Sequence, residues 1–314
     1  MIKVDNLSKS YGDVEAVKSI SFELKDGEVI GFLGANGAGK STTLKVITGY
    51  LSPTSGTVYV NDMDILHNAH EIQKQIGYLP ELNPLYGEMR VYDILEFIAK
   101  IRNISGKTFK NALARVVEQC GLKGVLHKNI DECSKGYKQR IGLACAMIHD
   151  PKILILDEPV TGLDPNQIVE IRNLIKELGS EKLVLMSSHI LQEIQATVNR
   201  IIIIHKGEIV ADGTNEELMR GFMGNAKLTL EIKNAEDASV KDLSEKIPYL
   251  TIIDTESKNG SRFLNLEYPK DQDPREAIFQ YAVKSKWVIT EMSPHSANLE
   301  SIFRKLTTEE TTNA

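Results

Sequence analysis

"EVIGFLGANGAGKSTTLKVITGY", residues 28–50, sets three kinds of sequence side by side. The continuous apolar run "VIGFL" reads as a strand covered on both faces. "KSTTLKVITGYL" reads as a helix, with Gly49 near its end and Pro53 just beyond. Between them, Gly34 to Ser41 fit GxxxxGK[ST] in the strand–loop–helix setting that motif requires. Glycines let a backbone close around phosphates, and the N–H groups of the loop and helix N-terminus favour their negative charge. On this pattern Asn36, Gly37, Ala38, Gly39 and Thr42 line the phosphates and Lys40 reaches the β- and γ-phosphates. The Ser41 hydroxyl ligates Mg²⁺, so the expected cofactors are ATP and Mg²⁺.

Working outward, two more buried strands end in polar residues. "KILILDEP" at 152–159 closes on Asp157 and Glu158, and "KLVLMSSH" at 182–189 closes on His189. A carboxylate at the first position suits Mg²⁺ through water, and the second is placed to polarise an attacking water. A histidine at a strand end beside a γ-phosphate suits a sensor of the transferring group. The segment between these strands carries Ile168, Ile171, Leu174, Ile175 and Leu178 at helical spacing. Strand–helix alternation predicts a largely parallel sheet with helices on both faces.

The remaining pattern divides the chain. Residues 2–33 read as strands, with Ile20, Phe22 and Leu24 alternating with polar positions, and about 82–149 read as helical. After Gly213 the character changes, and 227–307 read βαββαβα, the order of a small ferredoxin-like α+β domain, with "KNGS" at 258–261 as a turn. The expectation is an α/β P-loop nucleotide-hydrolase domain over 1–222, with an antiparallel β subdomain and the helical subdomain 82–149. A small domain over 226–308 and a polar tail at 309–314 follow.

Composition narrows the function. A net charge of -6 and a pI near 5.7 leave no basic field for nucleic acid, and 226–314 hold 15 acidic against 12 basic side chains. Cys120, Cys133 and Cys145 form no CxxC pair, as befits a reducing compartment. The N-terminus lacks a signal-like apolar core and no run approaches membrane-span length, so a soluble chain is expected, with any membrane role through a partner.

A further stretch, "CSKGYKQR" at 133–140, adds Ser134 and Gly136 at the start of a helix. Together with Tyr11 in "SKSYG", the glycine loop, the Asp157–Glu158 pair, Asp164 in "TGLDP" and His189, it resembles the ATP-binding subunits of ABC transporters over roughly residues 1–220. "SKGYKQR" and "GYLPELNPLY" look most like the branch serving ABC-2 type exporters, gliding-motility systems among them. The resemblance implies a second ATPase subunit, homo- or heterodimeric, with each Ser134–Gly136 helix end facing ATP held by the other. It implies a separate membrane permease, a peripheral position on the cytoplasmic face of the plasma membrane, Tyr11 on adenine and Asp164 at the dimer interface. Tyr11 as a surface aromatic and Asp164 as a plain helix cap remain open. Leu85 and Tyr86 are candidates for docking the permease. Glu81 stands where the family carries a glutamine; it can reach Mg²⁺ or its water but cannot donate a hydrogen bond. Lys135 replaces a glycine and adds positive charge near the phosphates. The alternative class is a permease-free ABC ATPase acting on ribosomes or chromosomes, which usually carries two ATPase domains per chain or long coiled coils.

Overall fold

Strand β1 (Ile2–Tyr11) buries Ile2 and Val4 on one side, and β2 (Val14–Leu24) buries Ile20, Phe22 and Leu24 in alternation with exposed residues. β3 (Val29–Leu33) is buried at every position, the pattern of a strand covered on both faces. The computed structural model describes residues 1–222, 225–235, 237–258, 260–269, 271–295 and 299–308. The chain divides into two compact units, Met1–Asn215 with Leu306–Ala314, and Glu216–Lys305. The break thus precedes the expected 222: the helix α8 (Asn215–Phe222) falls almost wholly in the second unit.

In the first unit, β1 and β2 join β4 (Ser55–Val60) and β5 (Met63–Asp64) in an antiparallel sheet of order β2-β1-β4-β5. A second sheet runs β10-β9-β3-β8-β7-β6. Here β6 is Ile76–Leu79, β7 Ile153–Leu156, β8 Leu183–Ser188, β9 Arg200–His205 and β10 Glu208–Thr214. β3, β6, β7, β8 and β9 run parallel and only β10 turns back. Helix α1 (Lys40–Ile47) follows β3, and α2 (Ile65–Gln75) precedes β6. One core joins the sheets: Ile2, Val4 and Phe22 pack with Ile30, Phe32, Leu44, Ile47 and Ile202. Fully burying each such side chain contributes about 1.5–3 kcal/mol.

Between β6 and β7 lie α3 (Val91–Ile101), α4 (Gly106–Gln119), a 3₁₀ turn at Ile130–Glu132 and α5 (Lys135–Met147). The helical block therefore starts at Val91 and not near 82; residues 80–90 carry no helix, as Pro84 and Gly87 would dictate. Arg115 donates to the Met147 and Ile148 carbonyls at 3.2 Å each and pairs with Asp150, whose carboxylate also accepts from Lys182 at 2.8 Å. A cation at the carbonyl end of α5 complements its dipole. Strand β7 leads through the loop 157–164 to α6 (Pro165–Gly179), which buries Ile171, Leu174, Ile175 and Leu178, and α7 (Leu191–Gln195) follows β8.

The second unit contains β11 (Ala226–Lys233), α9 (Asp237–Lys246), β12 (Thr251–Lys258), β13 (Ser261–Tyr268), α10 (Arg275–Lys284) and β14 (Val288–His295). α11 (Leu299–Thr308) closes the described chain. The sheet, of order β12-β13-β11-β14, is antiparallel throughout. Leu228, Leu230, Ile232, Leu264 and Leu266 build one core with Leu243 and Ile278. Lys258 pairs with Ser261 across the expected turn; its Asn259, like the tail 309–314, lies outside the described residues.

Candidate functional site

The glycine loop leaves β3 at the sheet's centre. Gly34 donates its N–H to the Ser188 carbonyl at 3.3 Å, which ties the loop's start to the end of β8. Gly39 sits at φ 108, and a Cβ there would lie 2.5 Å from the Ala16 carbonyl oxygen, so only glycine fits. α1 then opens with no side-chain cap and no acidic residue in its first turn. Its first N–H groups thus face the loop as a site for an anion. Lys40 is buried, and its ammonium donates to the Gly34 carbonyl at 2.8 Å and the Ala35 carbonyl at 3.3 Å. It also lies 3.5 Å from Glu158 Oε1. Around it, Ala35, Asn36 and Gly37 are exposed, Ala38 is buried, and Ser41 and Thr42 are half-buried.

Strand β7 delivers the carboxylates next to this loop. Asp157 is 1% exposed, its N–H bonded to the Leu79 carbonyl at 2.8 Å. Its Oδ1 accepts from the Ser41 hydroxyl at 3.1 Å and from the Ser187 hydroxyl at 2.6 Å. Ser187 in turn accepts from the Glu158 N–H at 2.9 Å, so one hydroxyl on β8 fixes both acids. Glu158, at φ 50, occupies the left-handed region, unusual outside glycine. Its Oε2 meets His189 Nδ1 at 2.9 Å and accepts from the Thr161 hydroxyl at 3.0 Å. Behind His189, the Ser188 hydroxyl donates to Glu193 at 2.8 Å, and burial raises the Glu193 carboxyl above its usual range. The chain thus brings Lys40, Ser41, Asp157, Glu158 and His189 into one connected set from three adjacent strands. Ser187 and Thr161 complete it and escape sequence reading, because a serine at a strand end and a threonine in a turn are common. The Ser41 hydroxyl and Asp157 carboxylate are hard oxygen donors on one spot, a set that suits Mg²⁺ sharing its coordination with phosphate and water.

The other expected residues stand apart from this set. Tyr11 ends β1 and is 48% exposed, with Lys9 Nζ 5.5 Å from its ring centroid. Ser134 caps α5, accepting from the Tyr137 N–H at 3.4 Å. Gly136 is buried against α6, where a Cβ would lie 2.5 Å from Gln167 Cδ. Asp164 caps α6, accepting from the Gln167 N–H at 3.0 Å. Glu81 is exposed in the segment after β6. Among the described residues, none of these makes a hydrogen bond to Lys40, Ser41, Asp157, Glu158 or His189.

A family model described as "ABC transporter" matches residues 17–161. YxlF, an ABC transporter ATP-binding protein of Bacillus subtilis, is 33% identical over 98% of this chain and 99% of its own length. The chain belongs to the ABC transporter ATP-binding proteins. BcrA of Bacillus licheniformis, a bacitracin transport ATP-binding protein, is 39% identical over 68% of this chain and 69% of its own. LnrL of Bacillus subtilis, a linearmycin resistance ATP-binding protein, is 34% identical over 76% of this chain and 77% of its own. Among solved structures, an ATP-binding subunit of an ABC transporter shares 30% identity with a TM-score of 0.65, over 71% of this chain and 93% of that one. A dimeric bacterial ABC transporter cassette shares 25% with a TM-score of 0.63, over 68% and 98%. As a member of this family the chain is an ATP-binding, ATP-hydrolysing subunit.

Proposed function

We propose that the chain dimerises on ATP and drives a separate membrane permease in the export direction. The hydrolytic part of this reading is carried by the Ser41–Asp157–Ser187–Glu158–His189 network, which joins a phosphate loop to an acid and a histidine within hydrogen-bond reach. Lys40 and the amides of 36–42 hold the phosphates, and Ser41 with Asp157 would hold Mg²⁺. That ion, when bound, neutralises charge developing on the transferring phosphoryl group. Glu158 orients and polarises the attacking water, and His189, held by Glu158 through Nδ1, meets the γ-phosphate. Tyr11, exposed at a strand end, stacks on adenine.

Ser134, Gly136 and Asp164 act across the dimer, at the N-termini of α5 and α6, where helix dipoles favour phosphate. The dimeric cassette among the similar structures supports this arrangement. Glu81, exposed in the segment after β6, would reach Mg²⁺ or its water through a carboxylate oxygen.

For the permease, a cleft of about 710 Å³ opens between the sheet core and the helical block, lined by Tyr78, Leu85, Ile94, Ile98, Ile101 and Arg102. On one side Tyr86, 60% exposed, meets Phe97 edge-on at 6.4 Å. With the apolar side chains of α3 on one wall and polar groups such as His70, Lys74 and Asn83 beside them, the cleft suits an amphipathic helix of the permease, which would hold the chain against the cytoplasmic face of the membrane. No helix among the described residues is long and apolar enough to cross a membrane itself. The transport and resistance names of BcrA and LnrL favour export over a permease-free role.

Glu158→Gln tests the site: turnover is lost while an ATP-bound dimer accumulates in size-exclusion chromatography, whereas continued hydrolysis removes Glu158 from its role. Affinity purification from detergent-solubilised native membranes tests the partner. A multi-span protein recovered at near-equal stoichiometry supports transport, and ribosomal or chromosomal partners alone overturn it.

A further inference from the structure

Lys135, the first residue of α5, carries its charge where a helix dipole disfavours it, and the first turn of α5 contains no acid. Its side chain bends across to the loop that follows the two acids. A Cβ built on Gly162 would collide with Lys135 Nζ and lie 3.0 Å from its Cε, so the ammonium rests on the bare face of Gly162. Gly162 is at φ 70, a conformation natural to glycine. One residue earlier, the Thr161 hydroxyl donates to Glu158 Oε2 at 3.0 Å, and the Thr161 N–H bonds the Glu158 carbonyl at 3.2 Å. The same pair of helix starts is in contact again through Gly136 on Gln167.

We propose that Lys135 is a positioning residue that couples occupancy of the Ser134–Gly136 helix end to the setting of Glu158 in the same chain, a coupling that rests on the ATP-dimer function proposed above. With the helix end vacant, the ammonium packs on Gly162 and holds the loop 159–164 in one position. A phosphate arriving at the helix end offers that ammonium a negative partner, where the dipole and Ser134 also favour it. Moving the charge from Gly162 to the phosphate releases the loop, and Thr161 carries the change to the Glu158 carboxylate. Each chain thereby reports the partner's ATP to its own acid. A loop with two settings, biased by a ligand that prefers one, meets the energetic requirement for such coupling.

The test uses the full chain with Lys135→Met, which keeps length and loses charge, and Lys135→Arg, which keeps charge. Hydrogen exchange of 159–164 in nucleotide-free protein should rise about 5-fold or more in Lys135→Met, the lower end of ordinary coupling strengths, and stay near wild type in Lys135→Arg. Hydrolysis against ATP concentration should be sigmoidal in wild type, less steep in Lys135→Met with unchanged ATP binding to the monomer, and restored to wild-type steepness in Lys135→Arg. Wild-type exchange and wild-type cooperativity in Lys135→Met would overturn the proposal and leave the dimer intact. A wild type that hydrolyses ATP without cooperativity or dimerisation would instead overturn the dimer function, and this proposal with it.

Discussion

Ser187 donates its hydroxyl to Asp157 at 2.6 Å while accepting the Glu158 N–H at 2.9 Å, so a single fully buried side chain sets both acids of the site. Removing it leaves a buried carboxylate oxygen and a buried N–H each short of a partner, which costs about 1–3 kcal/mol per group. Ser187→Ala should lower kcat for ATP by about 10-fold or more, because a lost charge-assisted bond of about 1.5–3 kcal/mol is spent at the reacting end. Steady-state kinetics with a parallel thermal melt check this; unchanged kcat with lowered stability would reduce Ser187 to a structural bond.

Gly39→Ala places a methyl 2.5 Å from the Ala16 carbonyl at φ 108. Neither the backbone nor that carbonyl is free to give, so the loop should lose its phosphate-ready shape. Expected are destabilisation of about 1–3 kcal/mol and no measurable ATP binding by calorimetry. Retained affinity would mean that the loop tolerates a wider path.

Tyr11 is half-exposed and contributes little to the core. Its removal therefore separates binding from folding. Tyr11→Ala should weaken ATP about 2- to 10-fold, the range of an aromatic pair contact, with Tm unchanged, while Tyr11→Trp should restore binding. Equal affinity in all three, by fluorescence titration, would leave Tyr11 a surface residue.

His149 gives a pH signature. Burial above all, with the Arg102 charge, lowers its pKa from 6.5 to about 4, while its ring nitrogen Nε2 lies 3.2 Å from the Ile76 carbonyl. The unfolded chain therefore takes up a proton from about pH 6.5 downward that the folded chain refuses until about pH 4. Stability contributed by neutral His149 is full above pH 6.5 and is lost as pH falls across that window. With solvent screening, about 1–2 kcal/mol should disappear between pH 7.5 and pH 4.5. Urea melts of wild type against His149→Gln should show a smaller fall in the variant; parallel curves would sink the assignment.

The glycine loop and the Asp157 and His189 strand ends are legible in the sequence because each is punctuated by a wholly apolar run whose length is that of a buried strand. The stretch 51–79 is less legible. β5 has two residues, and α2 buries only Ile65 and Ile72 and departs from helical geometry at Asn68, so no 3.6-residue period stands out. The approach "LNPLYGEM" flows into the apolar face of α3 and so reads as helix, yet Pro84 and Gly87 hold it open. Lys135 shows the same limit at the site. Its charge is visible in the sequence, but its resting place on Gly162 depends on how α5 and the loop 159–164 meet, and nothing local encodes that.

The pairing of β6 with β7 runs without a break from Ile76↔Ile153 to Leu79↔Leu156. Because the two strands are parallel, the chain leaves the edge strand β6 at one end of the sheet and re-enters at the other end, on the next strand in, before the acids appear. Everything from Pro80 to Lys152 is, in engineering terms, an insert plugged in at opposite ends of two neighbouring strands. Helical blocks from relatives could be transplanted there at different lengths, provided Asp150 keeps its tie to Lys182 outside the block, without rewiring the strands that lead to Gly34, Asp157 and Ser187. Such a graft would carry the helical wall of the cleft and the Ser134–Gly136 helix end together, since both lie between the two cuts.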